Sequence, residues 1–112
     1  MSTRDIGNAG EELACTYLVQ QGFFIAHRNW RTRWCEIDIV ATKSNRVYFV
    51  EVKTRKNYLY GDGLDYITAK KLQQMHFAAE LWLSAQKWKG EATLAALGVN
   101  KQTHAIQFTE VS

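Results

Sequence analysis

The chain has 112 residues, of which 46% are apolar and 22% are charged. This length suits one domain with a single core, here residues 1–112, and the composition excludes both a disordered and a fibrous protein. Fourteen lysines and arginines against eleven acidic residues give a net charge of +3, which permits a polyanionic partner without requiring one.

The first half of the chain predicts one helix followed by three strands. Apolar residues at positions 6, 13, 14, 17 and 18 lie on one stripe of a helix from Ile6 to Gln21, and Gly22 is a typical helix stop. The run "FFIAH" predicts a short strand, and the polar "RNWRTR" after it predicts a loop. The segments "CEIDIVA" and "RVYFVEVKT" flank "TKSN", whose residues suit a turn, so together they predict a β-hairpin.

The second half predicts a long helix and at least one more strand. After a turn at Gly61, Asp62 and Gly63, an amphipathic helix is predicted from about Asp65 to Trp88. Its apolar face contains Ile67, Met75, Ala78, Trp82 and Ala85. The segment "ATLAALGV" suits either a strand or a helix, whereas "THAIQFTEV" suits a final strand that joins the sheet. The order α, β, β, β, α, β predicts an α/β fold with a mixed sheet flanked by helices.

Cysteine and histidine spacing gives no indication of a zinc site. Cys15 and Cys35 form no CxxC pair, and the three histidines are scattered at positions 27, 76 and 104. No stretch approaches the roughly 20 apolar residues that a membrane span needs, and Arg4 and Asp5 interrupt any signal-peptide core. We therefore expect a cytoplasmic protein in a reducing compartment, with no membrane association.

Two acids are predicted to face each other across the hairpin. If Thr42 and Val47 close a four-residue loop, antiparallel partners sum to 89, and Asp38 lies opposite Glu51 with Cβ atoms roughly 5 Å apart. Two carboxylates at that distance repel by about 3 kcal/mol at an effective dielectric constant of about 20. A divalent cation turns this repulsion into coordination, because Mg²⁺ binds a few carboxylate oxygens together with water and phosphate oxygens.

A lysine accompanies this pair of acids. Lys53 shares a strand face with Glu51, about 7 Å farther along the strand. From there it could orient or deprotonate a water nucleophile, or stabilise negative charge that builds on a phosphate. The alternative is an ordinary exposed ion pair between Glu51 and Lys53, with Asp38 free in water.

Two helical residues are also candidates for the site. Glu11 falls at the border of the first helix's apolar stripe, whereas Glu12 lies farther toward water. Lys71 falls in the middle of the second helix's apolar stripe, whereas Lys70 projects to its polar flank. An ammonium group is unfavourable there unless it has a partner in the site, or unless the stem lies over apolar surface with its head in solvent.

Cations and aromatic residues alternate in two segments, which suits binding to phosphates and unstacked bases. The alternative is that these are solvated charges beside core tryptophans. The first segment contains Arg28, Trp30, Arg31, Arg33 and Trp34, and the second contains Lys53, Arg55, Lys56, Tyr58 and Tyr60.

The motifs "GEELA", "EIDIVA", "VYFVEVKTR" and "AAELWL" resemble those of the YraN-like family of small bacterial proteins, from about Gly7 to Trp88. That family looks like a branch of the restriction-endonuclease-like superfamily and is similar in layout to archaeal Holliday-junction resolvases. This sequence departs from the family pattern at two places. Cys35 stands where the family usually has glycine, and "TLAALGV" lacks the aspartate that the family commonly has near its C-terminus.

The resemblance implies an αβββαβ nuclease core with a catalytic metal site. Asp38 and Glu51 would be the ligands of Mg²⁺ or Mn²⁺, Lys53 the catalytic lysine and Glu11 an accessory acid. Lys71 matches the family's helical lysine. The residues predicted to bind nucleic acid are Arg28, Arg31, Arg33, Arg55, Lys56 and Lys71.

The predicted function is a metal-dependent endonuclease or resolvase-like phosphodiesterase that acts on DNA. The alternative is a non-catalytic nucleic-acid-binding module of a DNA repair, recombination or uptake complex, and a third reading is a protein-interaction domain. By analogy with resolvases, which cut two symmetric strands, the domain is a candidate homodimer.

Overall fold

A computed structural model places a five-stranded mixed sheet between two helices. It describes residues 3–55 and 67–111, and the side chains of residues 9–54 and 67–111. The elements are α1 (Thr3–Gln20), β1 (Phe24–Arg31), β2 (Glu36–Lys43), β3 (Arg46–Arg55), α2 (Ala69–Gln86), β4 (Glu91–Asn100) and β5 (Ile106–Glu110). The strands follow chain order in the sheet, and every neighbouring pair is antiparallel except β3 and β4. The predicted α/β class is confirmed, with one strand more than the predicted order contained.

The two helices cover opposite faces of the sheet. Leu18 of α1 packs in one buried cluster with Val50 of β3, whereas Trp82 of α2 packs in the other with Phe49. Consecutive residues of a strand point to opposite faces, so Phe49 and Val50 define an α2 face and an α1 face of the sheet. Neither helix in the described part of the chain is long and apolar enough to cross a membrane.

The β2–β3 hairpin closes through two residues in the left-handed conformation. Ser44 has φ 50° and Asn45 has φ 62°, as in the two-residue turns whose twist matches that of paired strands. Thr42 pairs with Val47, which is the predicted register, but the loop has two residues and not the predicted four, because Lys43 also pairs with Arg46. This register fixes which side chains of β2 and β3 face each other.

Strand β1 is longer than predicted. The loop prediction for "RNWRTR" is wrong for its first four residues, because Trp30 pairs with Ile37 and Arg31 with Glu36 in the β1–β2 ladder. β1 is an edge strand, and edge strands accommodate charged side chains while their backbones still pair with one neighbour. Polarity alone was therefore a misleading signal for a loop.

Strand β4 resolves the segment that suited either a strand or a helix. It lies between β3 and β5, and residues 93–99 are all buried. A strand covered on both faces has a continuous apolar sequence without alternation, which periodicity cannot distinguish from a buried helix. The expected final strand is also confirmed as β5.

The helix ends follow local capping chemistry. α1 stops as predicted before Gly22, whose φ of 94° belongs to the left-handed region. α2 starts later than predicted because the Thr68 side chain caps it, accepting a hydrogen bond from the Lys71 N–H at 3.0 Å. The predicted turn at Gly61, Asp62 and Gly63 lies outside the described residues.

A tight contact between Gly90 and the hairpin gives a test of this arrangement. A Cβ atom on Gly90 would lie 2.1 Å from the backbone oxygen of Asn45, which accepts a hydrogen bond from Glu91 N–H. We expect Gly90→Ala to lower the free energy of unfolding by about 2 kcal/mol in a urea titration, as overpacked sites do. Lys89→Ala, at an exposed neighbour, should stay within about 0.5 kcal/mol of wild type. Equal stability of Gly90→Ala and wild type would contradict this packing.

Candidate functional site

Asp38 and Glu51 come together on the α2 face, where β2 and β3 begin to separate. Ile39 and Val50 are the last paired residues of the β2–β3 ladder. Beyond them, the Asp38 carboxylate accepts a hydrogen bond in place of a backbone carbonyl. Its Oδ2 atom accepts a hydrogen bond from the Val52 backbone N–H at 2.7 Å. Glu51 is only 7% exposed, and its carboxyl group hydrogen-bonds to that of Asp38. The two acids therefore meet just beyond the last pair of the ladder, with Glu51 buried and Asp38 half-buried.

The proximity of these acids changes their protonation. The pKa of Asp38 is raised to about 8, mainly by burial and also by the charge of Glu51 and a hydrogen bond to it, whereas the hydrogen bond from the Val52 N–H lowers it. At neutral pH Asp38 therefore retains a proton, which removes its negative charge from beside Glu51.

Lys71 of α2 supplies a positive charge to the same place. Its Nζ atom lies 3.2 Å from Glu51 Oε2, and its side chain is 30% exposed. Burial is the largest single influence on Lys71 and lowers its pKa, but the charge of Glu51, a hydrogen bond to it and the charges of Cys35 and Asp38 together outweigh burial, so the net change is a raised pKa. Glu51 Oε2 still has no hydrogen bond of good geometry within the described part of the chain. Of the two readings of Lys71, the structure favours the one in which the ammonium contacts the site.

Lys53 lies on the same face of β3, two residues beyond Glu51. Its side chain is exposed, in contrast to the buried Glu51. Glu51 therefore lies inside the site, and Lys53 lies at the edge of the site that faces solvent.

Glu11 lies near the pair of acids but contacts a different residue. With the Asn29 amide oriented to satisfy both contacts, its nitrogen donates to Glu11 Oε1 at 2.7 Å and to Glu36 Oε1 at 2.8 Å. Burial raises the pKa of Glu11, Arg28 opposes this, and Glu36 adds to it. Glu11 affects Asp38 through charge and not through a contact. As predicted, Glu11 is half-buried and Glu12 exposed.

Sequence reasoning did not select Asn29, Glu36 or Cys35. Asn29 adopts the left-handed conformation, with φ 53°, inside a segment that polarity assigned to a loop. The Cys35 thiol is within range of the charges of Lys71, Glu51 and Asp38, although burial is the main cause of its raised pKa. The departure of Cys35 from the family's glycine could have indicated a side chain at the site.

The acids fit a divalent cation that takes only two protein ligands. The described side chains contain no group of three or more His, Cys, Asp or Glu residues arranged to hold a metal ion. Mg²⁺ commonly binds one or two carboxylates and completes its shell with water and substrate phosphate oxygens. Asp38 and Glu51 provide such a partial donor set, in which the Lys71 ammonium now lies against Glu51 Oε2.

Two of the predicted nucleic-acid-binding arginines have acidic partners. Arg28 pairs with Glu12 at 2.6 Å, and Arg31 pairs with Glu36 at 3.1 Å. Exposed ion pairs of this kind contribute little free energy, so a DNA phosphate can compete for either arginine. The Arg33 guanidinium carbon lies 5.8 Å from the centre of the Trp34 ring.

The second cationic segment falls largely outside the described part of the chain. The side chain of Arg55, together with Lys56, Tyr58 and Tyr60, lies there.

Comparison with known proteins assigns a family to this fold. The model of the uncharacterised protein family UPF0102 matches residues 10–109. The chain belongs to this family. The UPF0102 protein of Caldicellulosiruptor saccharolyticus is 40% identical over 80% of this chain and 75% of its own length. The UPF0102 protein of Cytophaga hutchinsonii is 33% identical over 95% of this chain and 94% of its own. That of Chlorobium chlorochromatii is 36% identical over 99% and 84%.

The predicted membership of the YraN-like family is thereby confirmed, because YraN-like and UPF0102 proteins form the same family. The match extends beyond the C-terminal limit of the sequence resemblance at Trp88 and includes β4. The core strands and both helices of the candidate site lie within the matched region, apart from the first turns of α1.

The proton that Asp38 retains predicts how the stability of this UPF0102 protein depends on pH. The folded-state pKa of Asp38, about 8, lies above the ordinary value, so the folded protein keeps a proton that the unfolded chain loses near pH 4. The free energy of unfolding should therefore fall as pH rises from about 4 to about 8, by at most about 1.4 kcal/mol per pH unit. Urea unfolding in EDTA between pH 5 and pH 9 measures this slope.

Asp38→Asn removes the titrating group and should flatten that slope. Glu80→Gln changes an exposed acid of α2 and should unfold with the wild-type pH dependence. If Asp38→Asn and wild type keep the same slope, Asp38 does not retain a proton in the folded protein.

Proposed function

We propose that this UPF0102 protein is a divalent-metal-dependent phosphodiesterase that cuts DNA. The observation that carries the proposal is the buried Asp38 and Glu51 pair on the α2 face, with Lys53 beside it on the same strand. The resemblance to restriction-endonuclease-like proteins supports the same reaction class.

The pair has no evident value to the fold alone. Two like charges in a poorly solvated position cost free energy, which the protein reduces by retaining a proton. One oxygen, Glu51 Oε2, is buried without a well-formed hydrogen bond. Strongly perturbed carboxyl groups of this kind are concentrated at functional sites. A site that binds a cation in the working state accounts for the retention of both acids.

Each residue has a distinct role in this proposal. Asp38 and Glu51 hold Mg²⁺ or Mn²⁺, which when bound supplies the positive charge that polarises a phosphate and lowers the pKa of water. Lys53 presents its ammonium at the exposed edge of the site, where it offsets negative charge on the reacting phosphate. Lys71 fixes the orientation of the Glu51 carboxylate. Glu11 contributes charge as an accessory acid and does not contact the pair.

The surrounding arginines would hold the DNA backbone. Arg31 and Arg33 lie at the end of β1 and in the loop that follows it, and Arg28 lies on β1 itself. Their contacts with phosphates would carry no sequence information and would weaken steeply with salt. Arg55 and Lys56 follow Lys53 closely in the sequence, and we assign them the same role of holding the DNA backbone.

Cleavage of labelled DNA tests the proposal. Wild-type protein should cut linear, flapped or four-way-junction DNA in Mg²⁺ or Mn²⁺, and cleavage should stop in EDTA. Asp38→Asn and Glu51→Gln should each lower the cleavage rate on the order of 100-fold or more, because each removes a charge needed in the transition state. Lys53→Ala should lower the rate while leaving metal binding intact.

Glu80→Gln is the matched control, since it neutralises an exposed acid on α2 that does not belong to the site. It should cut at the wild-type rate. Equal behaviour of wild type and Asp38→Asn on every substrate would reject the catalytic proposal.

A specific contact favours a second candidate, a nucleic-acid-binding module without turnover. The Lys71 ammonium and the proton retained by Asp38 together neutralise the pair of acids without a metal ion. In such a module the acids would be a buried polar contact between β2, β3 and α2. The protein would then serve as a subunit of a DNA repair, recombination or uptake complex.

Titration calorimetry with Mn²⁺ separates the two candidates. A catalytic site should bind Mn²⁺ with one site per chain, and Asp38→Asn should abolish this heat while Glu80→Gln leaves it unchanged. A pure binding module should give no carboxylate-dependent heat, yet hold DNA with a steep salt dependence that EDTA does not alter.

A further inference from the structure

Two aromatic side chains beside the candidate site are exposed and contact each other. Trp34 is 38% exposed and Phe77 is 43% exposed, with ring centres 5.6 Å apart and ring planes inclined by 33°. Leu81, one helical turn after Phe77, is also 43% exposed. We call Trp34 and Phe77 the aromatic platform. An exposed apolar cluster of this size is a candidate contact for a partner.

Hydrogen bonds within residues 32–35 hold the loop that carries Trp34 of the platform. The Thr32 side-chain oxygen accepts hydrogen bonds from the backbone N–H groups of Trp34 and Cys35, both at 3.1 Å, and its hydroxyl donates to the Cys35 carbonyl at 2.9 Å. The Thr32 N–H donates to the same carbonyl at 2.9 Å. These bonds fix the loop that carries Trp34 before any ligand arrives, which lowers the entropic cost of binding.

The platform lies on the two segments that bring Cys35 and Lys71 to the site. Trp34 directly precedes Cys35, whose thiol is within range of the charges of Asp38 and Glu51. Phe77 stands six residues after Lys71 on α2, which is about 9 Å along the helix axis at 1.5 Å per residue. A DNA strand rises about 3.4 Å per nucleotide in a duplex, so this axial separation corresponds to a few nucleotides.

We propose that the aromatic platform stacks an unpaired base of the DNA strand whose phosphate enters the candidate site. This inference rests on the proposed function for its location. Trp and Phe rings stack on bases of any identity, and Arg33, beside the Trp34 ring, adds a positive charge for the flanking phosphate. Arg31, with a side chain 79% exposed, lies at the end of β1 next to the same loop. The substrate class is therefore a flap or a boundary between single and double strands, where bases are free to stack on protein.

The alternative occupant, a second copy of this chain, suits the charges less well. In a two-fold symmetric contact the same patch meets itself, so Arg31 and Arg33 of one copy would approach those of the other. A polyanion instead complements both arginines. Fully paired duplexes and four-way junctions also suit the platform less well than a flap, because their bases are already stacked within the helix.

Binding of fluorescein-labelled DNA in EDTA, measured by anisotropy, tests the inference without cleavage. We expect wild type to bind a flapped duplex more tightly than a blunt duplex or a four-way junction of the same sequence. Trp34→Ala or Phe77→Ala should weaken flap binding about 5- to 100-fold and leave blunt-duplex binding unchanged. Trp34→Phe keeps an aromatic ring and should retain most of the preference.

Phe24→Ala is the matched control, because Phe24 is a 70% exposed aromatic residue at the opposite end of β1. It should bind every DNA as wild type does. Circular dichroism and the thermal midpoint verify that each variant is folded, and Trp34→Phe supplies the comparison if Trp34→Ala does not fold. A 2-aminopurine base in the flap should also lose its stacking-dependent quenching in Phe77→Ala.

Three results would overturn the inference. The first is a flap preference that survives loss of Trp34, and the second is an equal loss of affinity for duplex and flap. The third is a Trp34→Ala variant that converts a dimer to a monomer without weakening flap binding, which would identify a second copy as the occupant.

Asp38→Asn in the same assay separates this inference from the proposed function. Abolished cleavage with intact flap binding would support the catalytic site independently of the platform. Unchanged cleavage in Asp38→Asn, together with Trp34-dependent flap binding, would reject the catalytic site and retain the platform.

Discussion

The pairing of β2 with β3 is the constraint on which the candidate site depends. Two left-handed residues, Ser44 and Asn45, close the hairpin and leave no freedom in its register. A slip of one residue would exchange the faces of every side chain on one strand, moving Asp38 away from Glu51 and burying polar groups in place of core residues. The hydrophobic alternation and the turn therefore specify the same arrangement, and the two acids come together as a consequence of a register that the core independently requires.

The protein tolerates this arrangement by surrounding it with compensating groups. The Val52 N–H binds one oxygen of Asp38, Lys71 approaches Glu51 from α2, and a retained proton removes one of the two charges. Asp38, which keeps the proton, belongs to β2, Val52 belongs to β3 and Lys71 belongs to α2. The acids therefore connect these three elements. None of them is strong enough to explain the pair as a device for stability, since a buried ion pair often gains little over apolar packing. The proposed function explains the site better, and interactions elsewhere in the fold offset the unfavourable free energy of placing the two acids together.

The parts of the structure that the sequence predicts correctly depend on local geometry. The meeting of Asp38 with Glu51 follows from the hairpin register and strand alternation, and the different exposures of Glu11 and Glu12 follow from the 100° rotation per residue of a helix. The features that it misses depend on neighbours distant in sequence. β1 extends through a polar segment because β2 pairs with it, and Asn29 joins Glu11 to Glu36 only because that extension occurs. Burial on both faces similarly conceals the identity of β4, since it removes the alternation that marks a strand.

In the proposed metal site, three positive species would compete for the same two carboxylates: a proton, the Lys71 ammonium and a divalent cation. The proton and the ammonium are already in place in the folded chain, so cation binding must release the first and weaken the second. Affinity for a cation therefore rises with pH until Asp38 is ionised, and it rises again when a phosphate supplies the oxygens that two protein ligands cannot. The exposed Lys53 lies at the edge from which that phosphate would approach, and it favours the same encounter through its charge. In the proposed nuclease, a complete metal centre would form only with DNA bound, and hydrolysis would be restricted to strands that the surrounding arginines and aromatic rings have already positioned.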